Sequence, residues 1–128
     1  MSLSGNSCGP VIADVPKDEL KRAYYYSLFP NMLLSLFPDY SMVHTLWPVG
    51  PTRTRIVCEW SFAADASSDP KFNPRDAIEF WDITNREDWH ITERTQAGIL
   101  SSAYTRGPYS PRESLLAAWD REYLRQLG

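Results

Sequence analysis

Histidine and cysteine are scarce: the 128-residue chain has two of each, His44 and His90, Cys8 and Cys58. Two cysteines make no disulfide framework, and one of them lies in a Ser/Gly-rich start, so a reduced, cytoplasmic protein is expected. HExxH and CxxC are missing, as are GxGxxG, the P-loop and GxSxG, which removes the common zinc, nucleotide and serine-hydrolase signatures. Basic charge is short as well. Lys and Arg number 13 against 16 Asp and Glu, leaving a net charge of -3 and a pI near 5.3. Neither nucleic acid nor an anionic membrane is then an expected partner. No apolar run approaches a membrane span, and MSLSGNSCGPV has neither the basic region nor the apolar core of a signal peptide. Internal repeats and low-complexity tracts are absent too.

What is present is apolar and aromatic: 43% hydrophobic and 13% aromatic residues, enough for one compact domain. Residues 1–22 read as a flexible lead and connector, in which VPKDELKRA makes a short helical turn. Four strands follow, AYYYSLF, NMLLSLF, YSMVHTLW and RTRIVCEWSF, separated by Pro30-Asn31, Pro38-Asp39 and Pro48-Val49-Gly50-Pro51. Such short proline-containing links favour an antiparallel meander. The second strand is apolar almost throughout, as a central strand would be. The fourth alternates, with Thr54, Ile56, Cys58, Trp60 and Phe62 on one face and Arg53, Arg55, Val57, Glu59 and Ser61 on the other. Four strands and two helices leave open sheet edges, which invite pairing with a larger fold or a second copy.

A long helix is expected after Phe72, with Asn73 as cap, Pro74 first, Asp76 in the place of a capping-box acid and Gly98 as the first residue able to end it. At about 100° per residue, Ala77, Phe80, Trp81, Thr84, Ile91, Thr95 and Ile99 share one face, while Glu79, Asp82, Arg86, His90 and Glu93 share the other. Asp88 falls on the apolar side. A carboxylate facing a core needs an arginine, a backbone donor or a metal. Pattern leaves these three open. His90 is expected on the solvent side; His44, in step with Met42 and Leu46, is expected to be hydrogen-bonded inside or to line a pocket. Cys58 reads as a small core hydrophobe. A final helix is expected from Ser110, where SPRE suits a capping box, with an apolar stripe of Leu115, Leu116, Trp119, Tyr123 and Leu127. The fold class is α+β: an antiparallel sheet with helices across a single face.

The segment NREDWHITERTQAGILSSAY resembles the C-terminal helix of Rieske non-haem iron oxygenases, the α subunits of aromatic ring-hydroxylating dioxygenases and related monooxygenases. Glu87, Asp88, Glu93, Gln96 and Gly98 stand in that pattern. LFPNMLLSLFPD, LWPVGPTRTRI and the closing Tyr104, Gly107, Tyr109, Ser110 and Glu113 are similar in order and spacing as well. The resemblance implies that residues 23–128 are the C-terminal segment of the catalytic domain. The implied architecture is a helix-grip fold of the START/Bet v1-like kind, incomplete here. It also implies Asp88 as the carboxylate ligand of a mononuclear Fe(II), with Met32, Leu34, Met42, His44, Trp60, Phe80, Trp81, Thr84 and Ile91 as substrate-pocket candidates. The paired His-x4-His ligands and the Cys and His ligands of the [2Fe–2S] cluster are not in this sequence, so both belong to the missing N-terminal part. Thr92 stands where trimethylamine-oxidising relatives often carry Cys, which disfavours that substrate group. The implied activity is hydroxylation of a small aromatic substrate with dioxygen, with a reductase or ferredoxin supplying electrons. The implied assembly is a homo-oligomer, a trimer in the family, with or without a β subunit. A metal-free helix-grip module binding an apolar ligand is the alternative, and a remnant that self-associates through its edges is a third.

Overall fold

The computed structural model describes residues 1–128, in two compact units, residues 1–93 and 94–128. In the first unit, β1 (Tyr24–Leu28), β2 (Met32–Leu36), β3 (Tyr40–Gly50) and β4 (Arg53–Phe62) form an antiparallel sheet in chain order. The meander is the expected one, because each link is too short for anything but a hairpin. The β3–β4 register shifts between Pro48 and Gly50, where proline offers the ladder no N–H. The long helix α1 (Pro74–Ile99) begins at the expected proline and runs through Gly98. It crosses from the first unit into the second at Glu93.

Register decides which side chains face the helix. Residues paired across an antiparallel ladder share a face, so the pairs Tyr40–Phe62, Met42–Trp60 and His44–Cys58 lie together, joined by Ser35 and Leu33 of β2. Onto this face α1 places Ala77, Trp81 and Asn85, which recur every four residues and are its buried positions. Phe37, Tyr40, Met42, Ala77, Trp81 and Cys8 make the core, with Trp60, Phe62 and Phe80 packed against it. Aromatic contacts bind it: the Phe37 and Tyr40 rings stack at 4.5 Å, and Phe80 meets Trp81 edge-on at 5.4 Å. Trp81 Nε1 donates to Tyr40 Oη at 2.8 Å, and Tyr40 Oη donates to the Met1 carbonyl at 2.6 Å.

The start of the chain departs from the flexible lead expected of it. Cys8 is buried in the core. Its N–H donates to Asp39 Oδ2 at 2.7 Å, and its carbonyl accepts the Asn73 N–H at 2.7 Å. Asp76 departs as well. Its carboxylate accepts the Ser4 N–H at 3.2 Å and the Ser4 hydroxyl, so the acid at the helix start holds the lead and does not close a capping box. Ser/Gly content reads as flexibility only when nothing nearby supplies partners, and here two aspartates do.

In the second unit, residues 100–113 are irregular and α2 spans Ser114–Leu127. The helix starts four residues later than Ser110. The Ser110 N–H donates to Glu113 Oε2 at 2.6 Å and the Glu113 N–H to the Ser110 carbonyl at 3.0 Å, so SPRE forms a turn and Glu113 becomes the cap residue. Tyr109 Oη donates to Asp120 at 2.6 Å, tying the irregular stretch to α2. Of the expected stripe only Trp119 is half-buried; Leu115 is 83% exposed.

Tyr40→Phe should destabilise the chain by about 1–3 kcal/mol in urea unfolding, because it leaves the Trp81 indole N–H and the Met1 carbonyl without their shared partner. Stability should also fall in alkali. Burial raises the Cys8 thiol above its ordinary 9.0 and the Tyr40 phenol above its ordinary 10.0. Both groups hold their protons more tightly folded than unfolded. The stabilisation is therefore complete below pH 9 and is lost progressively as pH rises past those ordinary values. Urea midpoints between pH 7 and 11 should be flat to about pH 9 and then decline, with Cys8→Ala removing the earlier part of the decline.

Candidate functional site

The polar feature of the sheet–helix face is a three-residue relay. His44 of β3 and Cys58 of β4 are cross-strand partners, and Asn85 of α1 stands over both. His44 Nε2 and Asn85 Oδ1 are 3.2 Å apart, and Asn85 Nδ2 donates to Cys58 Sγ at 3.7 Å. An amide oxygen only accepts, so in this pairing His44 Nε2 is the donor. Burial, and then the charge of Asp82, raise the Cys58 thiol above its ordinary value. A thiol held protonated is a poor nucleophile, in keeping with Cys58 as a core residue. His44 is hydrogen-bonded as expected, and His90 is exposed as expected. Next to the relay, Trp60 Nε1 is buried without a partner, a free donor on the helix-facing side.

The nine pocket candidates do not gather on one surface. Met42 is fully buried and Trp81 buried, with His44, Trp60, Phe80 and Thr84 half-buried. Met42, His44 and Trp60 share the helix-facing side of the sheet. Met32 and Leu34 lie on the opposite side: Met32 pairs with Thr45 and Leu34 with Val43, one residue out of step with Met42 and His44. A strand apolar on both sides gives no clue to its register, and only the ladder resolves it. Ile91, on the expected face of α1, is 61% exposed, because it lies beyond Asn85, the last buried residue of the helix.

Asp88 is exposed, not turned into a core. At about 100° per residue it lies roughly 20° from the buried Ala77, but a bearing says nothing of how far along the helix burial extends. Thr92 Oγ1 donates to the Asp88 backbone carbonyl at 2.9 Å, and the chain's ion pairs do not involve the Asp88 carboxylate. No three His, Cys, Asp or Glu side chains stand close enough together to hold a metal. Asp88 is thus a single carboxylate donor, and the residues of this chain do not by themselves fit a mononuclear iron. Asn85 escaped the sequence reading, although its spacing of four and eight residues from Trp81 and Ala77 marked it.

Asn85→Leu keeps the branched shape but strips both bonds from His44 and Cys58. A loss of about 1–3 kcal/mol in urea unfolding is expected, with an unchanged m-value.

Between 56% and 69% of the chain aligns with three named relatives. It is 36% identical over 72 residues to the glycine betaine monooxygenase oxygenase subunit of Pseudomonas aeruginosa, covering 56% of this chain and 17% of that protein. Over 81 residues it is 33% identical to the protein of the same name from Chromohalobacter salexigens, covering 63% of this chain and 18% of that one. Over 88 residues it is 26% identical to the chloroplastic choline monooxygenase of Arabidopsis thaliana, covering 69% and 21%. The chain thus spans about a fifth of the length of these relatives. The family described as ring hydroxylating alpha subunit (catalytic domain) matches residues 1–128. With its antiparallel sheet, its long helix and a match along its whole length, the chain belongs to the catalytic domain family of ring-hydroxylating oxygenase α subunits.

Proposed function

We propose that this chain is the C-terminal part of the catalytic domain of a Rieske-type oxygenase, an oxidoreductase that inserts oxygen from dioxygen into a small substrate. The observation that carries the reading is the family match over residues 1–128. The metal-free binding module is not favoured beside it, because the matched family is a catalytic domain and the named relatives are monooxygenases. In the whole enzyme, electrons would come from a reductase or ferredoxin through a [2Fe–2S] cluster held outside this sequence. The mononuclear Fe(II) would take its remaining ligands from there too.

Asp88 is the carboxylate ligand in this reading. Two features support it. By its bearing the residue falls between the buried Ala77 and Trp81 of α1, it lies past Asn85, the last buried residue of the helix, and no arginine or lysine of this chain pairs with it. It is held on a continuous helix, a rigid support for one ligand of a shared centre. Met42, His44, Trp60, Phe80, Trp81 and Thr84 are the pocket residues that the fold leaves in play.

The relatives bear on the substrate. Glycine betaine and choline are small quaternary ammonium compounds, and the proteins named for them are monooxygenases. Monooxygenation of a small ammonium compound is favoured over attack on an aromatic ring. Thr92 does not count against it: the side chain is exposed and bonds to its own helix backbone, so it reports on the helix and not on a pocket.

Asp88→Ala in the complete enzyme should abolish bound mononuclear iron and turnover while leaving the visible absorption of the cluster unchanged. Because Asp88 is exposed, the same change in this chain should alter stability by less than about 0.5 kcal/mol, which separates lost chemistry from lost fold. Full turnover by the variant would end the assignment.

A further inference from the structure

Asp39 is the one buried ionisable carboxyl of the chain, 6% exposed, in the tight turn between β2 and β3. Oδ2 accepts the Cys8 N–H at 2.7 Å. No cation reaches it. The ion pairs of the chain join Arg22 to Glu19, Arg75 to Glu79, Arg86 to Asp82 and Arg125 to Glu122, all on the surface. One backbone donor leaves most of the hydrogen-bonding capacity of a carboxylate unused, and a buried carboxylate without a counter-charge is costly.

Asp39 also lines a cavity of 510 Å³ between the docked lead and the sheet–helix unit. The rest of the wall is mostly apolar or uncharged: Val11, Leu20, Pro38, Phe80 and backbone and hydroxyl groups of the lead. No lysine or arginine takes part. Met1 is at the wall, but its ammonium makes no ion pair with Asp39, and its carbonyl is taken by Tyr40. One buried negative charge, an aromatic ring and apolar walls around a space of this size suit a particular ligand: a small organic cation, with the ammonium beside Asp39 and alkyl groups against Phe80.

We propose that this cavity is a binding site for a small organic ammonium ion, with Asp39 as its counter-ion and Phe80 as its aromatic wall. The site differs from the one read around Asp88 in its charged residue, Asp39, and shares only Phe80 with that pocket. Phe80 and Asp88 are eight residues apart on α1, about 12 Å along its axis, and the proposal uses neither iron nor the oxygenase reading.

The test is calorimetric titration of the 128-residue chain with tetramethylammonium chloride at constant chloride, with its neutral counterpart 2,2-dimethylpropan-1-ol and with sodium alone. Saturable binding of tetramethylammonium is expected, with at least about tenfold weaker binding of the alcohol, which carries no charge and can offer the carboxylate only a hydrogen bond. Asp39→Asn keeps an acceptor for the Cys8 N–H and should weaken the cation about tenfold or more while leaving the unfolding midpoint near the wild-type value. Phe80→Leu should weaken it severalfold. The proposal is overturned if the folded wild type shows no saturable uptake, or if the alcohol or sodium binds as well as tetramethylammonium. Equal affinity in a folded Asp39→Asn variant overturns it too. Should that variant not fold, the wild-type comparison of cation and alcohol decides. None of these outcomes bears on Asp88.

Discussion

Three segments that share no sequence proximity meet at the hydroxyl of Tyr40. The indole of Trp81 donates to it from the helix, and it donates in turn to the carbonyl of Met1 in the lead. Trp81 and Tyr40 are the large rings of the core, and each brings one polar atom that burial would strand. Donating in series satisfies both and fixes the helix over the sheet at one height. Everything else in the first unit follows from that placement. Ala77 lies a turn before Trp81 and is buried in the core, while Asn85 lies a turn after it and reaches His44 and Cys58.

The parts of this arrangement that were legible in the sequence are those encoded locally. Proline-marked links place three of the strands to within a residue, while β3 runs three residues past its expected end, through Pro48 to Gly50; Asn73-Pro74 marks the helix start. The alternation in β4 names its inner side correctly, because its outer positions carry Arg53, Arg55 and Glu59. β2 carries apolar residues on both sides, so Met32 and Leu34 could be assigned only through their partners. The docked lead was illegible for another reason. Ser4 and Cys8 are held by Asp76 and Asp39, and nothing local to a short polar stretch announces a partner more than thirty residues away. At the carboxyl end, a good capping box at Ser110 closed a turn, and the helix waited for Glu113.

Asp88 shows what a helical wheel can and cannot say. At about 100° per residue it lies between Ala77 and Trp81 in bearing, and Asn85, three residues earlier and roughly 60° away, is the last buried residue of the helix. The difference between them lies along the helix: Asn85 is buried against His44 and Cys58, and Asp88 beyond it is exposed. A carboxylate in that position is sheltered by nothing in this chain and paired with nothing in it, which is what a ligand completed by another part of a larger domain would look like.

The meander has a kinetic side. Each strand pairs with the next in sequence, so the sheet grows by closing short hairpins and involves little loop entropy. The lead is the opposite case, since its bonds to Asp39, Tyr40, Asn73 and Asp76 close loops of thirty to more than seventy residues. Such contacts form late, after the hairpins and the helix have built the surface that receives them. The last part of this unit to be ordered is then the first to be synthesised.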